Sequence, residues 1–255
     1  MSSQFPKPQE SCPHCSGTGW ERIEAQGTLR HCRCLLAGRA ERLLEEARIP
    51  KRYEHCDLES YVPNDPTQKK AKNDVLHFLE RYPTIDVGLL FLGPCGVGKT
   101  HLAVSLLKHV ITEKGDTGIF YDFRDLLREI QGSWNSVSQA SELEVLRPVL
   151  EANVLVLDEL GANKPTDWVR ETVAYIINCR YNDKKLTIFT SNFPESHTTE
   201  REDASDRQQG RYARDESLTD RIGARLRSRL YEMCKVVEIR GRDFRKEIRQ
   251  ASYRF

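Results

Sequence analysis

The octet Gly93-Pro94-Cys95-Gly96-Val97-Gly98-Lys99-Thr100 combines three glycines with a lysine and a hydroxyl residue. Glycines let a backbone wrap an anion with its amide N–H groups turned inward, and a helix starting there adds its positive end. In such a cradle the lysine reaches the outer phosphates of a nucleotide, and the threonine hydroxyl takes a place around Mg2+. The expected nucleotide-binding set is Gly93, Pro94, Cys95, Gly96, Val97, Gly98, Lys99, Thr100 and the following His101. Downstream, Asp158 and Glu159 form an acid pair. Asp158 is suited to hold Mg2+ through its water shell, with Thr100 opposite, and Glu159 to polarise an attacking water as a general base. Asn192 adds a polar group placed to hold that water or sense the terminal phosphate.

A second chemistry lies near the N-terminus. Cys12-Pro13-His14-Cys15 and His31-Cys32-Arg33-Cys34 bring four of the eight cysteines into one short stretch. Four thiolates surround a zinc ion tetrahedrally, and a C-x-x-C turn relaxed by Gly17 and Gly19 brings two sulfurs to one ion. His14 and His31 offer substitute ligands. A segment this short and polar builds no core of its own, so metal supplies the missing folding energy. Cys56, Cys95, Cys179 and Cys234 are isolated and read as small buried residues.

These groups need elements to hold them. Residues 87–92 are a short apolar run, as for a strand buried on both faces, and the helical run 101–112 follows the octet. Strand, loop and helix in that order is the context in which such a loop binds phosphate. The run 154–157 ends in the acid pair and the run 186–190 in Ser191-Asn192. Both deliver polar side chains at the carboxyl ends of strands, where open α/β sheets bind ligands. Residues 118–122 and 236–239 read as two more strands, and 123–131, 142–152 and 167–181 as intervening helices. The alternation argues for an α/β fold, a parallel sheet covered on both faces. Residues 35–48 read as a helix with Leu35, Leu36, Leu43, Leu44 and Ala47 on one stripe, closed by Ile49-Pro50. Residues 51–70 read as irregular, with a turn at Pro63-Asn64-Asp65-Pro66. The expected division is a 1–50 zinc-binding module with linker helix, then a 51–255 catalytic domain.

Thirty-nine Lys and Arg against 38 Asp and Glu leave 255 residues a net charge of +1, which excludes nucleic-acid binding by bulk charge alone. The asymmetry is local. From residue 221 onward eleven basic residues face four acidic ones. Residues 218–230 read as one helix, with Arg221, Arg225 and Arg229 along one face and Ile222, Leu226 and Leu230 along another. An arginine here is placed to reach a phosphate, either of nucleotide held by a neighbouring subunit or of a nucleic-acid backbone. Residues 193–217 are polar and read as a surface loop. No apolar run approaches the roughly 18–20 residues that span a bilayer, and the first ten residues lack the apolar core of a secretory signal. The expectation is a cytosolic chain with no membrane partner.

Taken in order, the octet, Val154-Leu155-Val156-Leu157-Asp158-Glu159-Leu160-Gly161, Thr190-Ser191-Asn192, Leu218-Thr219-Asp220-Arg221-Ile222 and Gly241-Arg242-Asp243-Phe244-Arg245 resemble the AAA+ ATPases of the DnaC/IstB type. These are bacterial helicase loaders and transposition ATP-binding proteins, and the resemblance spans roughly residues 49–250. It implies a P-loop fold around a central parallel five-stranded sheet, ATP and Mg2+ as ligands, and ATP hydrolysis. It further implies Asn192 as the first sensor, Arg221 as an arginine finger acting on a neighbour, and Arg245 as the second sensor. Loaders of this type deliver a replicative helicase to single-stranded DNA, several of them through a small N-terminal zinc module, and assemble with ATP. The transposition proteins act instead on duplex DNA, and a protein-interaction switch is the third alternative. Residues 193–217 are longer than is usual between sensor and finger, so Arg225 and Arg229 stand beside Arg221 as candidates.

Overall fold

The computed structural model describes residues 12–23, 28–135, 142–195 and 216–247. A small antiparallel hairpin comes first, β1 (Trp20–Ile23) paired with β2 (Thr28–His31), and helix α1 (Arg33–Glu46) leaves it. After a 3-10 turn at Lys51–Tyr53, α2 (Pro66–Arg81) begins where sequence periodicity suggested only a turn. Asp65 caps it by accepting from Thr67 N at 2.8 Å, and Pro66 sits at the first helical position, where no backbone donor is needed.

The core is built from β3 (Gly88–Leu92), α3 (Lys99–Lys114), β4 (Gly118–Asp122), α4 (Phe123–Asn135), α5 (Glu142–Glu151), β5 (Val154–Asp158), α6 (Asp167–Asn182) and β6 (Leu186–Ser191). It closes with α7 (Leu218–Ile222), α8 (Ala224–Met233), β7 (Cys234–Glu238) and α9 (Phe244–Glu247). The five core strands are parallel in the order β4-β5-β6-β3-β7. Alternate residues of each strand enter opposite layers. Leu89, Phe91, Val154, Val156 and Ile188 pack under α2 and α3, while Leu90, Leu92, Leu155, Leu157 and Phe189 pack against α5, α6 and α8. Each fully buried side chain contributes about 1.5–3 kcal/mol, which explains why these strands read as unbroken apolar runs.

Two sequence expectations change. Residues 218–230 are not one helix: Gly223, at φ +87°, breaks the segment into α7 and α8. Arg221 is thereby separated from the face shared by Arg225 and Arg229. The helix expected at 35–48 docks by its C-terminal half on the core, where Leu43 and Leu44 join the α3 layer and Ala47 is fully buried. Phe120 N donates to Ala47 O at 2.8 Å, covering part of the free edge of β4. The side chains of Leu35 and Leu36, and most of the 193–217 loop, lie outside the described residues. Among the described residues no helix is long and apolar enough to cross a membrane.

Candidate functional site: a phosphate loop facing two acids

All five parallel strands end at one edge of the sheet, and the octet springs from the end of β3 there. Its turn leaves no room for side chains. A Cβ on Gly96, at φ +78°, would stand 1.9 Å from Asp243 Oδ1, and one on Gly98, at φ +97°, would stand 2.5 Å from the Tyr61 ring. The loop is therefore gripped from both sides, by the 241–245 stretch and by the linker before α2. Phe244 N donates to Gly96 O at 3.2 Å. This docking sets Arg245, which is exposed, close enough for its charge to act on Lys99.

Lys99 is buried at the start of α3, with Nζ donating to Gly93 O at 2.8 Å and Pro94 O at 2.7 Å. Burial pushes its ammonium down to about 8, against attraction from Cys95, Asp158 and Glu159. Thr100 Oγ1 donates to Asp158 Oδ1 at 2.9 Å and faces Oδ2 at 3.2 Å. Asp158 is buried, and burial pushes its carboxyl above the usual range although Thr190 and Thr100 both donate to it. A hydroxyl and a carboxylate converging behind a phosphate loop are hard oxygen donors, and a cation between them would compensate the buried charge. The pair fits Mg2+.

Glu159 departs from the strand at φ +57°, a left-handed conformation that costs a non-glycine residue about 1–2 kcal/mol. Its backbone N donates to Thr190 Oγ1 at 3.0 Å, and its carboxylate meets Arg124 Nη2 at 3.5 Å. Asn192 is exposed and follows Ser191, which lies in register with Leu92, so it stands beside the start of the loop. His101 turns toward the linker: its Nε2 lies 2.8 Å from Asp57 O and 3.3 Å from Ser60 Oγ, and its ring packs on Tyr61. Cys95, expected to be buried, is exposed on the loop.

Arg221 is drawn into its own chain. Its guanidinium lies over the Phe193 ring at 4.5 Å, donates to Asn163 O at 3.3 Å and pairs with Glu216. Arg229 donates to Asn178 Oδ1, and Arg225 is exposed.

Cys12, Cys15, Cys32 and Cys34 bring their sulfurs together, all within 4.8 Å of one another. Cys12 and Cys32 Sγ are 3.6 Å apart, and Cys15 and Cys34 Sγ 3.5 Å. A tetrahedron with Zn–S bonds of 2.3 Å has edges of about 3.8 Å, so the four sulfurs fit zinc closely. The backbone amides of His14 and Cys15 pull the Cys12 thiol down to about 6, toward the thiolate that binds metal. His14 is exposed on the turn between the first two ligands.

The roles of three contributors escaped the sequence, one of them Thr190, which the sequence marks only as part of Thr190-Ser191-Asn192. Thr190 bridges the acid pair, donating to Asp158 Oδ1 at 2.6 Å while receiving Glu159 N. Arg124 reaches Glu159 because β4 and β5 run in register, Asp122 beside Asp158. Tyr53, in the 3-10 turn, packs 6.0 Å from the Phe120 ring with its hydroxyl beside Thr100. Each depends on strand register or linker path, which spacing along the chain does not reveal.

The family described as IstB-like ATP binding protein matches residues 35–252. Among curated proteins, the chain is 23% identical over 171 residues to the replicative helicase loader DnaC of Buchnera aphidicola subsp. Schizaphis graminum, covering 67% of this chain and 68% of that protein. It is 30% identical over 133 residues to the replicative helicase loader DnaI of Bacillus subtilis, covering 51% of this chain and 42% of that protein. Among solved structures, a crystal structure of the DnaC helicase loader superposes with a TM-score of 0.62 at 35% identity, covering 75% of this chain and all of that one.

Proposed function

This chain belongs to the family of IstB-like ATP binding proteins, the DnaC/IstB-type AAA+ ATPases, and from that premise we propose that it is an ATP-driven loader of a replicative helicase. The observation that carries the proposal is the convergence of Lys99, Thr100, Asp158 and Glu159 at one sheet edge, in a chain whose relatives are named helicase loaders.

In this reading the amides of the octet and Lys99 bind the phosphates of ATP. Thr100 and Asp158 hold Mg2+, which when bound neutralises charge on the β- and γ-phosphates. Glu159 takes the proton of the attacking water, Asn192 orients that water, and Arg245 senses the bound nucleotide. Arg221 completes the site of a neighbouring subunit. To reach outward it must first let go of Glu216 and Asn163, so its contribution is tied to assembly. The 1–50 module, its four cysteines on zinc, holds the helicase, and the 51–255 domain carries single-stranded DNA on its own basic surface. DNA affinity is modest and salt-sensitive, since the charge balance of the whole chain is nearly even.

A pull-down by the full chain tests this against the transposition reading. Capture of a replicative helicase, lost in Cys32→Ser, is the expected result; capture of a transposase instead refutes the loader assignment. Mixing Glu159→Gln and Arg221→Ala chains tests the shared site. Each alone is nearly inactive, and mixing restores turnover if the finger acts on a neighbour.

A further inference from the structure

One peptide of the phosphate loop is held from outside the loop. The Val97 carbonyl oxygen accepts from the Tyr61 hydroxyl at 3.3 Å and from Gln68 Nε2 at 3.4 Å. Both donors precede the loop in the chain: Tyr61 lies in the linker and Gln68 in the first turn of α2. All three residues are buried. Neither donor is free to turn away. Asn64 N donates to Gln68 Oε1 at 2.7 Å, and because a backbone N–H can only donate, this fixes the amide oxygen there and leaves the NH2 group for Val97. A Cβ on Gly241 would stand 2.8 Å from Gln68 Nε2, so the stretch after β7 closes the amide in. The Tyr61 ring packs on His101 with centroids 5.3 Å apart, and Lys72 Nζ donates to Tyr61 O at 2.9 Å.

A trans peptide is planar and carries its C=O and N–H on opposite sides. With Val97 O drawn to the linker and α2, the Gly98 N–H turns away from them, to the inner side of the loop. The Tyr61 ring, 2.5 Å from where a Gly98 Cβ would stand, walls off the outer side of the same peptide. We infer that Tyr61 and Gln68 are positioning residues for the nucleotide: through Val97 O they keep the Gly98 N–H aimed at the phosphates before the nucleotide arrives. The role rests on the reading of the octet as the phosphate site of ATP. A glycine-rich loop samples many backbone conformations, and an amide fixed in advance binds without the cost of being ordered, so the gain appears in affinity for phosphate.

The test is steady-state phosphate release by the full chain, with tripolyphosphate as a competitive inhibitor that presents phosphates without base or sugar. Tyr61→Phe removes only the hydroxyl, and Gln68→Met keeps the length of the side chain without its donor. Each raises KM for ATP about fivefold, as the loss of one hydrogen bond predicts, with kcat within about twofold of the parent. Ki for tripolyphosphate rises by the same factor, because the loop meets only the phosphates. A role in folding alone lowers the active fraction instead, and so the apparent kcat at unchanged KM. An unchanged KM in either variant, a loss confined to kcat, or a Ki that stays constant while KM rises overturns the assignment. Lys99→Ala separates it from the reading on which it rests. If Lys99→Ala is inactive and the Tyr61 and Gln68 variants keep the parent KM and Ki, the positioning role alone falls. If Lys99→Ala turns over like the parent, the phosphate-site reading falls and takes the positioning role with it.

Discussion

Thr190→Val separates the framework of the acid pair from the acids themselves. Valine keeps the β-branched shape of threonine, so β6 and its packing persist, and what the change removes is the hydroxyl. Two hydrogen bonds vanish: the 2.6 Å bond to Asp158 Oδ1 and the 3.0 Å bond from Glu159 N. A hydrogen bond to a charged group contributes about 1.5–3 kcal/mol, and the second bond offsets part of the left-handed strain at Glu159. The expected loss of stability is about 2–4 kcal/mol, or roughly 5–12 °C in Tm for a domain of this size. Asp158, already raised by burial, loses a donor and rises further, so half-saturation requires more Mg2+. Glu159, freed to relax toward ordinary backbone, misplaces its carboxylate, and a shift of about 1 Å costs about 100-fold in rate. KM for ATP changes little, because the contacts of Lys99 do not involve Thr190. The assay is phosphate release against ATP and against Mg2+, with Tm measured in parallel, and Thr190→Ser as the variant that keeps the hydroxyl. A valine variant within twofold of the parent kcat at ordinary Mg2+, or a loss confined to KM, refutes the account of Thr190 as the bridge between the acids.

Other outcomes follow from single groups. Lys99 is pushed down to about 8, so near that pH about half the molecules take up a proton when phosphate binds; calorimetry in buffers of different ionisation enthalpy reads this as proton uptake that shrinks toward pH 6. In the sign of its stability effect, the unfolded chain holds more protons at Lys99 between about 8 and 10.5, so the burial penalty is complete below that range and recedes as pH rises through it. Arg180, 1% exposed, donates to Val149 O, Ala152 O, Leu186 O and Thr187 Oγ1, tying the end of α5 to β6; Arg180→Met leaves these acceptors without that donor and lowers stability by about 3 kcal/mol in denaturant titration. Metal analysis of gently purified protein gives about one zinc per chain, and Cys32→Ser, the most deeply buried of the four, abolishes it; under half an equivalent in the parent refutes the zinc assignment.

The chemistry most legible in the sequence is local in the chain. Phosphate binding needs contiguous amides, so the octet is readable as a string, and the acids and Asn192 follow strands whose burial on both faces makes them unbroken apolar runs. The cysteine set is similarly spelled out in two short clusters. Element ends were less legible. Asp65-Pro66 has the composition of a turn and also of a capped helix start, and only the apolar face of α2 against the core decides between them. In 218–230 the spacing of arginines and leucines is regular across Gly223, but a glycine at φ +87° ends one helix and starts another.

What the sequence by itself determined is therefore the inventory: a phosphate loop, two acids, a polar residue after a third strand, a basic end and four clustered thiols. Tertiary structure decided how these are held. Thr190 meets both acids because β5 and β6 lie side by side, and Arg124 meets Glu159 because β4 pairs with β5 in register. Arg221 folds onto Phe193 and Asn163 of its own chain, and Arg48 fastens the linker to α4. Periodicity and motif spacing report what neighbours along the backbone can do. Strand order, register and the path of a linker join residues far apart in the chain, and those are set by the packing of the whole sheet.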